Sequence, residues 1–311
     1  MSHRAAIMVR HCAHPSQNCH KKKNGGTMKT FTAEPLIKTK YLLGESPFYD
    51  PRTGKCSFVD IIAGKLYVFS KADGLESTDF GQQIGAAVPA KTQGEYVVCG
   101  TDGLYVYRAK EISKIRDMTD CYEPHQRSND AKADPKGRLF LGSSVWQDGH
   151  DPSGNLFRLD KNGIKVIQEN TRISNGLAWS ADRKRFFFSD SPYNAIFTYD
   201  YDESTGDISG RKVLFEVKEG VPDGMCIDSE DNLWVAVWGG SRIEKRSTVT
   251  GELLAIVNVP AEHTTSCCFY GDELDTLLIT SSGDGLSGES DGYVFSCKVD
   301  AKGCPPDYAD I

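Results

Sequence analysis

The chain of 311 residues has no long apolar run. None of its hydrophobic stretches approaches the ~20 residues of a membrane-spanning helix, so a soluble, cytoplasmic protein with no membrane partner is expected. An excess of basic residues is also missing: 36 Lys and Arg stand against 43 Asp and Glu, a net charge of −7. That balance disfavours nucleic acid as a partner and suits a site that draws in a cation. Histidine is scarce where chemistry would need it. Four of the seven histidines fall in the first 20 residues, and the remaining His125, His150 and His263 read as loop or surface residues. No Ser-His-Asp or Cys-His nucleophile arrangement is suggested. The ten cysteines show no paired framework, and Cys267 and Cys268 are adjacent within an apparent strand. Buried thiols in a reducing compartment fit this better than disulfides.

Residues 1–27 differ in composition from everything after them and lack the apolar core of a signal peptide. They carry His11, Cys12, His14, Cys19 and His20, but without a zinc-finger frame or a core to order the ligands. The expectation is a disordered leader or extension over 1–27, with Met28 as the natural start, followed by one domain over 28–311.

What the chain does have is a repeat. Glu45-Ser-Pro-Phe-Tyr-Asp50, Asn129-Asp-Ala-Lys-Ala-Asp134, Asn175-Gly-Leu-Ala-Trp-Ser180, Asp223-Gly-Met-Cys-Ile-Asp228 and Ser266-Cys-Cys-Phe-Tyr-Gly271 can be superimposed, each opening on a polar residue and running into a strand. Their starts lie 84, 46, 48 and 43 positions apart, the first interval being two steps of 42. Such a period is the mark of a β-propeller. Each unit continues through polar turns into aromatic and β-branched runs, as in Asn232-Leu-Trp-Val-Ala-Val237, a hairpin pattern. The long first interval hides a unit built from Gly85-Ala-Ala-Val-Pro89, Glu95-Tyr-Val-Val-Cys-Gly100 and Gly103-Leu-Tyr-Val-Tyr107. The expected fold is therefore all-β, a six-bladed propeller with four-stranded antiparallel blades, whose last blade takes an outer strand from Glu34–Lys38.

In a propeller the innermost strands line the central channel, so equivalent residues of successive units gather around the axis. Glu45, Asn129, Asn175 and Asp223 would meet there as oxygen donors, while the second unit contributes only Gly85 or Ala86. Two carboxylates and two amide oxygens suit calcium, magnesium or manganese, and zinc also accepts carboxylates. Taken singly, Asn175 and Asp223 read as Asx-turn residues before glycine. The shared register favours a site. Asp130, next to Asn129, is expected to alternate away from the axis and support the site from behind, and Arg127 to share the face of Asn129.

At these segments the chain resembles the senescence marker protein, gluconolactonase and luciferin-regenerating enzyme family. Gly44-Glu-Ser-Pro47, Asn129-Asp130 with Lys132 and Asp134-Pro135, Ile173-Ser-Asn-Gly-Leu177, Pro222-Asp-Gly-Met-Cys-Ile-Asp228 and Thr264-Thr-Ser-Cys-Cys-Phe269 match its motifs in order and spacing. The resemblance implies a six-bladed propeller holding one divalent cation on Glu45, Asn175 and Asp223, and hydrolysis of sugar lactones with Asp223 as general base. Arg127 and Asn129 match substrate-contacting positions, and the family's acidic substrate-loop residue falls near Gln147. Phe48 stands where the family has Trp, and Ala131 where it has Gly. Two other activities accompany the resemblance: hydrolysis of the luciferin-regenerating type, and regucalcin-like calcium-binding regulation without catalysis. The expected partner is a small lactone, and the expected state a monomer or weak dimer.

Overall fold

Alternating runs such as Phe58-Val59-Asp60, Val97-Val98-Cys99 and Phe186-Phe187-Phe188 are buried on both faces, which only a strand sandwiched between neighbouring sheets allows. A computed structural model describes residues 28–123, 125–145 and 154–311, and the fold is all-β apart from one short 3-10 turn, Ser191–Tyr193. The leader reading of 1–27 and the position of Gln147 lie outside the described residues.

Four sheets have the expected form of four antiparallel strands, starting from the inner strands Gly44–Asp50, Ile84–Pro89, Gln126–Ala133 and Ser174–Trp179. The expectation of six separate four-stranded blades is corrected by the rest of the molecule. The chain from Val221 onward, together with the two N-terminal strands, forms a single nine-stranded sheet. The junction is local: the strand Asn232–Trp238 reaches far enough for Trp238 to pair with His263, and their rings stack at 4.0 Å and 17°. His263 is thus part of the strand His263–Tyr270 and not the loop residue expected from the sequence. The segment before the first inner strand clasps this sheet twice. Lys29–Thr32 pairs in parallel with Leu253–Asn258, and Glu34–Ile37 pairs antiparallel with Val294–Lys298 as anticipated.

Neighbouring sheets are held by aromatic packing. Phe140 of the third sheet meets Trp179 of the fourth edge-on at 5.0 Å, within a cluster that includes Phe186 and Tyr201. Each such buried ring contributes about 1.5–3 kcal/mol. The far ends of the inner strands are pinned by aspartates. Asp50, Asp134 and Asp228 accept the backbone N–H two residues on, from Arg52 (2.9 Å), Lys136 (2.8 Å) and Glu230 (3.0 Å). Turn chemistry thus belongs to the last residue of these three segments. Among the described residues the eight cysteines are all free thiols, five of them buried, matching their reading as core residues.

Candidate functional site

Successive inner strands bring the unit starts side by side. The carbonyl of Gly44 accepts the Thr265 hydroxyl at 2.6 Å, joining the last inner strand to the first. Gly85 lies so close to the next strand that a Cβ there would sit 2.2 Å from the Asn129 carbonyl oxygen, which explains why the second unit supplies no side chain. The Asn129 amide donates to the Ser174 carbonyl (2.9 Å) and to Asn175 Oδ1 (3.0 Å). A Cβ on Gly176 would approach the Asp223 carbonyl oxygen to 2.5 Å.

Every inner strand departs from regular pairing at this point. Register shifts fall between Glu45 and Phe48, Ile84 and Ala86, Ser128 and Ala131, Asn175 and Leu177, Pro222 and Met225, and Thr264 and Ser266. A β-bulge re-aims the side chains beside it, and here it recurs around the ring. Ser46 takes a left-handed φ of 49° there, an uncommon conformation for a residue with a Cβ, and its N–H donates to Glu45 Oε2 at 2.5 Å.

The bulges gather more charge than the sequence indicates. Glu45, Asn129, Asp130, Asn175 and Asp223 are all buried. Burial pushes the Glu45 carboxyl up to about 8, helped by the charge of Asp130 and opposed by the Ser46 N–H, Arg127 and Lys132. Burial, then the charges of Glu45 and Asp130, push Asp223 well above the usual carboxylate range, with Arg127 opposing. Asp130 rises to about 6 through burial, with Lys132 opposing. Desolvation lowers the Arg127 guanidinium to about 10 against the pull of Glu45 and Asp223. The charge of Asp130 is thus felt at both Glu45 and Asp223.

Arg127 and Asn129 meet as expected: Arg127 Nη1 donates to Asn129 Oδ1 at 2.7 Å and to the Ser128 carbonyl at 2.8 Å. Asn175 is fixed from its other side by donating to Ser191 Oγ at 3.0 Å, leaving its amide oxygen toward Asn129. Asp223 Oδ1 and Asp130 Oδ2 are buried with no hydrogen-bond partner among the described residues. Orphaned carboxylate oxygens are costly unless a cation or proton meets them. Among the described residues no group of three or more His, Cys, Asp or Glu has metal-holding geometry. The set here is of another kind, two carboxylates with an amide oxygen, and its hard donors and unmet charge fit a divalent ion.

Residues 43–283 match the model of the SMP-30/gluconolactonase/LRE-like region. The chain belongs to this family. It is 33% identical over 292 residues to regucalcin of Danio rerio, covering 90% of this chain and 98% of that one. It is 31% identical over 279 residues to a Bacillus subtilis protein provisionally named the sugar lactone lactonase YvrE, covering 86% and 95%. A solved luciferin-regenerating enzyme superimposes with a TM-score of 0.82 at 30% identity, over 89% of this chain and all of that one.

Proposed function

We propose that this family member is a divalent-metal-dependent hydrolase that opens sugar lactones. The observation that carries the reading is the axial ring, in which Glu45, Asn175 and Asp223 present buried oxygens and Asp223 Oδ1 has no hydrogen-bond partner among the described residues. These three residues would hold the cation. A bound divalent ion supplies Lewis acidity for an ester carbonyl and makes water more acidic.

The protein's own groups account for the rest. Arg127 and Asn129, joined to one another beside the ring, position the hydroxyls of a sugar lactone. Asp223, which would hold the cation through one carboxylate oxygen, takes the proton of the attacking water on the other and returns it to the leaving alkoxide. Burial of the ring excludes bulk water, which strengthens each charge interaction inside it. The B. subtilis relative's name supports a lactone substrate, and the relatives named regucalcin favour calcium among the hard cations.

Hydrolysis of a panel of aldonolactones, with and without EDTA and after readdition of calcium, zinc, manganese or magnesium, tests this. Activity should vanish with EDTA and return with one of these metals, and Asp223→Ala should lower kcat/KM by about 10²–10⁴-fold. Gluconolactone hydrolysis by Asp223→Ala at the wild-type rate would defeat the mechanism. Tight calcium binding without any lactone turnover would leave calcium binding as the function.

A further inference from the structure

Beyond the ring, where the inner strands run on, lies a cavity of about 460 Å³. Its wall comes from the later residues of the inner strands, among them Phe48, Leu177, Trp179 and Phe269, and includes none of Glu45, Asn129, Asn175 or Asp223. At about 3.3 Å per strand residue, Trp179 lies about 13 Å along its strand from Asn175. The volume falls within the ~300–1,000 Å³ of small-molecule sites.

The segment Cys304–Asp307 completes the wall. It belongs to a tail fastened at both ends: Gly303 bridges to Asp228, Ala309 to Ala90, and Asp310 pairs with Lys91 (2.9 Å) and Lys161 (2.7 Å). Between these points Tyr308 donates to Asp50 Oδ1 at 3.2 Å and lies under the Arg52 guanidinium at 3.5 Å. The cavity is therefore bounded by a built floor.

Its charged lining is nearly all spoken for. Asp228 is paired with Lys245 at 2.9 Å and accepts from Trp234 Nε1 at 3.1 Å, and Arg183 is paired with Glu203 at 2.8 Å. Burial pushes Asp307 up to about 6, with Arg183 opposing, so it is mostly ionised near pH 7 and loses its charge as pH falls below 6. Lys132 differs. Its ammonium donates to the Met225 carbonyl and forms no ion pair within 4 Å among the described residues, its charge reaching Glu45 and Asp130 only through space. Two of its N–H donors remain for a ligand, at a site whose other walls are mostly apolar.

We propose that this cavity binds a monocarboxylic acid with an apolar body, its carboxylate on Lys132 and its hydrocarbon or aryl portion between Phe48, Leu177, Trp179 and Phe269. A charge-assisted hydrogen bond fixes the head, and burial of apolar surface holds the rest. A dicarboxylate finds only one ammonium without an ion pair among the described lining residues.

Binding of hexanoate and phenylacetate to the full-length protein, with hexanol and 2-phenylethanol as uncharged matches, tests the assignment by calorimetry and tryptophan fluorescence in EDTA. The acids should saturate, and the alcohols should bind at least about tenfold more weakly. Lys132→Met should reduce the acids to the level of the alcohols, whereas Lys132→Arg should keep the preference. Cys304→Trp, at an exposed position on the cavity wall, should block both series, and it carries the test should Lys132→Met fail to fold. Equal binding of acids and alcohols, no saturation, unchanged binding in Cys304→Trp, or acid binding that appears only when a divalent metal is restored would each overturn the proposal. The last outcome would place the acid at the axial ring.

Discussion

Replacing Asp134 by Ala should destabilise the fold far more than removing the tyrosine that shares its carboxylate. Asp134 is fully buried at the end of the strand that carries Arg127, Asn129 and Asp130. Its Oδ1 accepts the backbone N–H groups of Lys136 (2.8 Å) and Arg138 (2.9 Å), and its Oδ2 accepts Arg138 Nε (2.6 Å) and the Tyr201 hydroxyl (2.7 Å). Tyr201 belongs to the next sheet, so one carboxylate closes a turn and ties two sheets together. Asp134→Ala removes all four bonds and leaves Arg138 buried without its counter-charge. Breaking a buried pair from one side costs about 3–5 kcal/mol. Tyr201→Phe removes the bond to Asp134 and the longer one accepted from Arg138 Nη2 (3.1 Å) but leaves the Asp134–Arg138 pair in place, a cost of about 1.5–3 kcal/mol. At about 2 °C per kcal/mol for a domain of this size, the melting temperature should fall by about 6–10 °C in the first variant and about 3–6 °C in the second. The double variant should fall short of the sum, because both lesions strike the same carboxylate. Calorimetric melts of the four proteins at pH 7 measure this. A smaller loss for Asp134→Ala than for Tyr201→Phe, or strict additivity, would refute the reasoning.

Other consequences concern pH, metal and packing. Asp190 accepts the Arg172 and Ile173 backbone N–H groups on Oδ1 (3.1 and 3.0 Å), and burial raises its carboxyl to about 6. A raised acid pKa favours the fold below the unfolded value near 3.8 and loses that benefit as pH rises through about 6. Asp190→Asn keeps both bonds without the charge, so its melting temperature relative to wild type should increase between pH 5 and pH 8; a constant difference would count against the assignment. Metal binding should release protons from Glu45 and Asp223, so affinity should rise from pH 6 to pH 8, and calorimetric enthalpies should differ between buffers of different ionisation enthalpy. Gly176→Ala forces a Cβ against the Asp223 carbonyl. A stability loss of about 1–3 kcal/mol is expected, with a larger fall in kcat/KM than Asp134→Ala shows, measured on folded protein.

Sequence periodicity was enough to locate the inner strands, because a strand buried on both faces must be apolar and a hairpin must carry turn residues at its ends. It also placed Glu45, Asn129, Asn175 and Asp223 at one register position, and the Asn129–Asn175 hydrogen bond brings two of them into contact. How the sheets join could not be read this way: the expected six blades are replaced by four four-stranded sheets and one of nine strands, through a single pairing of Trp238 with His263. The N-terminal clasp on the last outer strand was legible as an apolar segment in search of an edge, but the parallel pairing of Lys29–Thr32 was not. Tertiary structure alone decided that the bulges fall at the unit starts and that Lys132 lines a separate cavity while donating to the Met225 carbonyl. Side-chain direction in a strand follows a period of two only until a bulge interrupts it, and a bulge is set by the fit of neighbouring backbones, which residue types along one strand do not record.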